Sequence, residues 1–418
     1  MLTPFRNWSS KLYGSKYATV TLPQLSLSIL HLLGLNHQPT PSSSIMKRTL
    51  LHALFLLALS AAYTFAKPPQ VLSKTIQGNP TLKAIDVISF APQGVLLIGD
   101  GQGAQIVAMR TGDLSPAKPL SKAIPSIDAK LAGVIGAKAD GIEILDLAVN
   151  PASGKAYFAI RKQDDKSHLI LTVDGKGKIS EFSLEKVDYA RISLAGGKNS
   201  ISRVTDVAWA DTQLVAAGRS ADQFASKIFA IDTPLSHDAK GNVYSAETYH
   251  VQHRRWETKA PMSVLVPYRE DDRQYVIGAF SCTPVVKYSL DALKPDAKVK
   301  GSSVLELGSG NRPLDMFTYE KNGKPYVLTN TFRFHHKRKA FGPSPYWTVK
   351  FEQGILAEKE KINEKALWRL KGYDPVTDRV QMVEAFHGVR QMDKLGDGHA
   401  LVLKEEKNSL TLTALALP

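Results

Sequence analysis

Beyond residue 80 the chain repeats one pattern of apolar and polar positions: an apolar run with an acidic or small residue near its start, a tight polar turn, a second apolar run, a loop, and a third run. The first runs are Ile85–Phe90, Leu145–Val149, Thr205–Trp209, Pro261–Val266, Leu314–Thr318 and Val389–Met392. Marked at Asp86, Asp146, Asp206, Pro261, Asp315 and Met392, they are spaced by 60, 60, 55, 54 and 77 residues. The runs are short, rich in β-branched and aromatic residues, and bounded by Gly, Pro, Asn and Asp, as strands are. Several are apolar at consecutive positions, which a strand tolerates only when both of its faces are covered. Repetition at this period, with each unit unable to bury both faces alone, predicts an all-β fold, a six-bladed β-propeller.

Three strands are legible in every unit. Fourth strands are legible at Ile179–Leu184, Tyr244–Val251, Ser303–Leu307 and Arg379–Phe386, less clearly in the first unit, and the last unit has no room for one. Val71–Ile76 is strand-like and unassigned. Pairing it with the last unit closes the ring and removes an open sheet edge. The extra length between 333 and 378 leaves seven blades as the alternative.

Before the repeats, Met46-Lys47-Arg48-Thr49 precedes the apolar run Leu50–Leu59, and Thr64-Phe65-Ala66 offers small residues before Lys67. That arrangement predicts a secretory signal at 46–66, an upstream extension at 1–45 that is not native, and one propeller domain at 67–418. The apolar run is too short for a stable membrane span. A periplasmic or secreted protein follows, expected to be a monomer.

The 53 Lys and Arg exceed the 39 Asp and Glu by 14, and five of the basic residues precede residue 67. The excess is spread along the chain, with one dense cluster at His335–Lys339. Mild basicity suits an exported protein meeting anionic surfaces or partners. No basic stripe interleaved with aromatics is present, so nucleic acid is not an expected partner. Cys282 is the single cysteine, so an internal disulfide is excluded and the fold must rest on its core.

Asp146-Leu147-Ala148-Val149-Asn150-Pro151-Ala152-Ser153-Gly154-Lys155-Ala156-Tyr157 resembles the blade signature of NHL and YVTN propellers, and the chain from 67 onward is similar to exported bacterial propeller proteins without an assigned activity. The resemblance implies the fold and brings no catalytic motif.

In a propeller the loops joining second to third strands, and those joining one blade to the next, gather at one mouth of the central channel. His250, His253, Cys282, His335, His336 and His387 all fall on such loops, in three successive units. Imidazole and thiolate are preferred ligands of zinc and copper, so these six are the candidate metal ligands, with calcium the lesser expectation. Arg203, Arg312, Arg333, Arg390 and Trp256 are the candidate ligand-binding residues for a small anionic molecule. The recurring acids Asp86, Asp146, Asp206 and Asp315 read as a structural hydrogen-bonding element, because a residue repeated in four blades serves the repeat. A calcium site or an acid–base pair of a lactonase-like hydrolase is their alternative. Gly99-Asp100-Gly101-Gln102-Gly103 follows a strand but opens no helix, which excludes a dinucleotide fingerprint. Three functions follow: an exported propeller binding a transition metal or anion at the channel mouth, a non-catalytic module docking a periplasmic protein, and the hydrolase.

Overall fold

The computed structural model describes residues 70–418 except 117, 195–200, 295–296, 309, 337–341, 369–379 and 408. The expected signal and extension, the basic residues 337–339 and the start of the strand expected at 379 lie outside the described residues. Among them no helix is long and apolar enough to cross a membrane.

Six small antiparallel sheets form a ring: a six-bladed β-propeller. The blades, in chain order and from the channel outward, are as follows. The first holds β2 (Val87–Ala91), β3 (Val95–Asp100), β4 (Gln105–Arg110), then β9 (Val187–Ser193) and β1 (Ile76–Gly78). The second is β5 (Ile142–Val149), β6 (Ala156–Lys162), β7 (His168–Val173) and β8 (Ile179–Phe182). The third is β10 (Ile201–Ala210), β11 (Gln213–Ser220), β12 (Ser226–Asp232) and β14 (Asn242–His250), with β15 (Arg255–Glu257) extending it. The fourth is β16 (Met262–Glu270), β17 (Arg273–Phe280), β18 (Pro284–Ser289) and β20 (Ser302–Glu306). The fifth is β21 (Asn311–Lys321), β22 (Lys324–Arg333), β23 (Tyr346–Glu352) and β24 (Val380–Met382); the sixth is β25 (Val389–Leu395), β26 (His399–Glu406) and β27 (Ser409–Ala416). Two short parallel strands, β13 (Ala239–Lys240) on β9 and β19 (Lys298–Lys300) on β14, cover outer edges. Such cover keeps an edge from pairing with another chain.

The order around the ring is not the order along the chain. Innermost strand β2 packs between β5 and β10, and β5 packs against β25. The ring therefore runs second, first, third, fourth, fifth, sixth, and back to the second. After the first blade the chain steps backward, builds the second, and crosses the first again, leaving β9 there as its fourth strand. Six apolar clusters fill the six blade interfaces. Strand periodicity sorts the residues between them: Val95 and Leu97 of β3 face the third blade, while Leu96 and Ile98 face the second. Close approach explains the glycines after β3. A Cβ on Gly99 would sit 2.6 Å from Val204 of the third blade, and one on Gly101 would sit 2.4 Å from the Arg203 backbone.

Closure differs from the sequence expectation. The N-terminal segment does not complete the last blade: β1 pairs with β9, and Leu72 bridges Leu235. The open edge of the sixth blade is met instead by Ile124, whose amide and carbonyl both bond Leu412, and by helix α1 (Ile127–Val134). Ile127 and Leu131 pack there with Leu410 and Leu412. The physical reason is the backward step. With the second blade lying between the first and the sixth, the connection into it is what passes the sixth blade's edge. Between β23 and β24 the described residues form a 3-10 turn, Gln353–Ala357, and the short helix α2 (Lys365–Trp368).

Val71 and Leu72 are fully buried in the cluster between the first and third blades. Deleting residues 71–78 removes both side chains and the edge pairing on β9, an expected loss of about 3–6 kcal/mol at about 1.5–3 per buried apolar side chain. A thermal melt checks it, and an unchanged midpoint would show the segment to be dispensable.

Candidate metal and channel-mouth sites

Three of the six predicted donors meet. Strand β14 ends at His250, one 3-10 turn (Val251–His253) follows, and Arg254, left-handed at φ 52°, reverses the chain into β15. The resulting hairpin pairs Thr248 with Glu257 and His250 with Arg255. It brings the His250 and His253 rings to a centroid distance of 4.0 Å. Cys282 arrives from the fourth blade, in the turn between β17 and β18. One donor atom from each of His250, His253, Glu257 and Cys282 lies within 4.8 Å of the others.

The cluster is held in place from behind. Glu257 Oε1 accepts the backbone N–H groups of Lys259 and Ala260 at 2.9 and 3.0 Å, which leaves Oε2 to face His250 Nδ1 at 3.3 Å. His250 Nε2 lies 3.3 Å from Glu306 Oε2. Glu306 in turn accepts from Thr283 Oγ1 at 2.8 Å and from the Val251 N–H at 3.1 Å. Thr283 has φ 91°, a strained conformation for a β-branched residue and the kind that persists where the surroundings enforce it. His250 and Glu306 are buried, Cys282 is partly exposed and His253 is exposed. Burial alone would lower the His250 pKa, but the contacts with Cys282, Glu257 and Glu306 outweigh it and push the value up to about 11. Burial likewise works against the Glu257 carboxylate, yet His250 and the two amides bring its pKa down to about 2.

His335, His336 and His387 do not join this cluster. His335 packs against Gly310, and His387 lies close to Gly342, where burial lowers its pKa. Occupying one face of a propeller is not meeting at one point. The interface of the third and fourth blades gathers the first three donors, and the loops of the fifth and sixth blades hold the others.

The channel is a cavity of about 1120 Å³ walled by the innermost strands. Arg203, Arg312 and Arg390 line it, joined by Arg219. Arg333 is instead buried, with its guanidinium 4.9 Å from the centre of the Trp347 ring. Trp256 sits on the hairpin, edge-on to Tyr249 and under Lys300, away from the channel lining. The repeated acids do serve structure. Asp146 accepts the Ile88 N–H, Asp86 that of Val204, Asp206 that of Leu265, and Asp315 that of Met392, at 2.7–3.0 Å. Asp393, not singled out in the sequence, does the same to Val149 at 2.7 Å. Each carboxyl thus clasps its blade to the next one round the ring.

No family profile matches the chain, and neither does any curated protein. Solved structures resemble it at low identity. Drosophila Semaphorin 1a, extracellular domains 1-2, is 10% identical over 83% of this chain and 88% of that one, TM-score 0.37. A point mutant of Cellvibrio cellulosa alpha-L-arabinanase is 11% identical over 67% and 92%, TM-score 0.31. A Thermus thermophilus protein described as a putative oxidoreductase (glucose dehydrogenase) is 12% identical over 82% and 99%, TM-score 0.32. The class of the protein, a six-bladed β-propeller, is read from the ring of sheets itself.

Proposed function

We propose that this is an exported, periplasmic or secreted, propeller that holds one zinc ion between its third and fourth blades, with His250, His253, Glu257 and Cys282 as ligands. The observation that carries the reading is the convergence of four donor side chains from two blades within 4.8 Å. Bonds of about 2.0–2.3 Å in a tetrahedron place ligand atoms about 3.3–3.7 Å apart. The 3.3 Å between Glu257 and His250 already matches that edge. The widest separation needs a contraction of about 1 Å, which the exposed His253 and partly exposed Cys282 can supply. Two imidazoles, a thiolate and one carboxylate suit zinc, whereas Cu(I) prefers a softer set and calcium six to eight oxygens. Glu306 on the far nitrogen of His250 is the carboxylate partner that fixes a ligating imidazole's orientation. Four protein donors complete a tetrahedron, the arrangement of sites that retain a metal. Export rests on the basic and apolar pattern of 46–66.

Elemental analysis of the purified protein is expected to find one zinc per chain. After stripping, cobalt is expected to restore one equivalent with a thiolate-to-cobalt charge-transfer band, and Cys282→Ser to abolish that band. A wild-type protein that retains no metal, or a band that survives Cys282→Ser, defeats the assignment. Copper at one equivalent would overturn the choice of zinc.

A further inference from the structure

The channel mouth is a second site, independent of the metal cluster. Four arginines from three blades border it: Arg203 and Arg219 of the third, Arg312 of the fifth and Arg390 of the sixth. All four are exposed. Arg203 and Arg219 are direct cross-strand partners on β10 and β11. Like charges placed opposite each other in an antiparallel pair weaken the sheet, so this pair works against the fold unless an anion lies over it. Asp86 below offers Arg203 some compensation. Among the described residues, Arg219 and Arg312 have no ion-pair partner. Arg390 is set in position by Glu405 at 3.7 Å and by the Tyr346 ring at 5.5 Å.

Below the arginines the wall changes character. Ser89, Thr205 and Gln391 line the same cavity, and among the described residues Ser89 Oγ, Thr205 Oγ1 and Gln391 Oε1 have no hydrogen-bond partner. Buried polar groups are ordinarily satisfied, and a hydroxyl rotor can turn toward a guest in the lumen. Phe334, 55% exposed, adds an apolar rim.

We infer that the channel binds a small hydroxylated organic anion, a sugar phosphate or sugar acid, with its anionic group at Arg203, Arg219, Arg312 and Arg390 and its hydroxyls toward Ser89, Thr205 and Gln391. Guanidinium groups recognise phosphate and carboxylate by paired N–H donors, and the polar wall discriminates against an anion without hydroxyls.

Calorimetric titration with glucose 6-phosphate, inorganic phosphate and glucose tests this on the full chain at low and physiological ionic strength. Glucose 6-phosphate is expected to bind saturably, about tenfold or more tighter than either fragment, and more weakly as salt rises. Arg312→Ala/Arg390→Ala is expected to lower that affinity at least tenfold, and Gln391→Ala to weaken glucose 6-phosphate without changing phosphate. Arg203→Ala/Arg219→Ala is expected to melt higher than wild type at low salt, because the repulsion is relieved. Metal-stripped protein is expected to bind equally. The inference is overturned if glucose 6-phosphate does not bind saturably, or if the arginine variants keep wild-type affinity. Glucose binding as tightly as its phosphate removes the arginine anchor, and inorganic phosphate binding as tightly removes the hydroxyl wall.

Discussion

Replacing His250 with alanine is expected to destabilise the metal-free protein by about 3–5 kcal/mol, the cost of removing one partner from a buried ion pair. His250 is 1% exposed and stands between Glu257 and Glu306, with Glu306 itself 2% exposed. The carboxylates hold the imidazole charged, and the imidazole holds Glu257 ionised. Without it, Glu306 keeps only the Thr283 hydroxyl and the Val251 amide, and Glu257 faces it with no cation between them. Part of the loss should return in the His250→Ala/Glu306→Gln double variant, since the second change removes the stranded charge. The two substitutions are therefore expected to be strongly non-additive. Urea unfolding of the four proteins in the cycle measures this. A His250→Ala loss below about 1 kcal/mol, or simple additivity, would show that no such charge triad exists.

How far the sequence reaches is clear from particular residues. The blades were legible because alternation and β-branched content are local, so β2, β5, β10, β16, β21 and β25 fall on the runs that mark each repeat. The ring order was not. Nothing within 187–193 says that the segment returns to the first blade rather than continuing the second, because both edges offer the same backbone hydrogen bonds. Once that step is missed, the strand at 71–76 has no evident partner except the last blade. His250, His253 and Cys282 were found because imidazole and thiol are conspicuous in a chain with one cysteine. Glu257 was missed although His250-x-x-His253-x-x-x-Glu257 is written in the sequence, since a carboxylate is common and only the hairpin at Arg254 makes it a neighbour. Asp393 escaped because the sixth unit was marked at Met392, one position before it. Arg219 was missed for want of its pairing with Arg203.

The aspartate clasps predict a stability that falls as pH rises. Asp206, Asp315 and Asp393 are partly exposed to the lumen and enclosed by protein on their other sides. Burial raises their pKa values to about 7, 8 and 6, against the pull of the amides they accept from and with a further push between neighbours. Their unfolded values are near 4, so the unfolded chain releases these protons first. A carboxyl whose pKa is raised on folding contributes stability that is complete below about pH 4 and lost as pH climbs through its folded value. Between pH 5 and 9 the wild-type melting temperature is therefore expected to decline. Asp206→Ala strands the Leu265 N–H, and at pH 5 it is expected to cost about 1–3 kcal/mol, the usual loss for an unsatisfied buried donor. At pH 9 the same substitution also removes an ionised group from an unfavourable place, so its cost is expected to shrink. Asp206→Asn keeps an acceptor for Leu265 but cannot ionise, and its stability is expected to vary less with pH than that of the wild type. Denaturant midpoints of the three proteins across that range decide the matter. A gap between Asp206→Ala and wild type that widens with pH would mean that the clasps work as carboxylate anions, with folded pKa values below those of the unfolded chain.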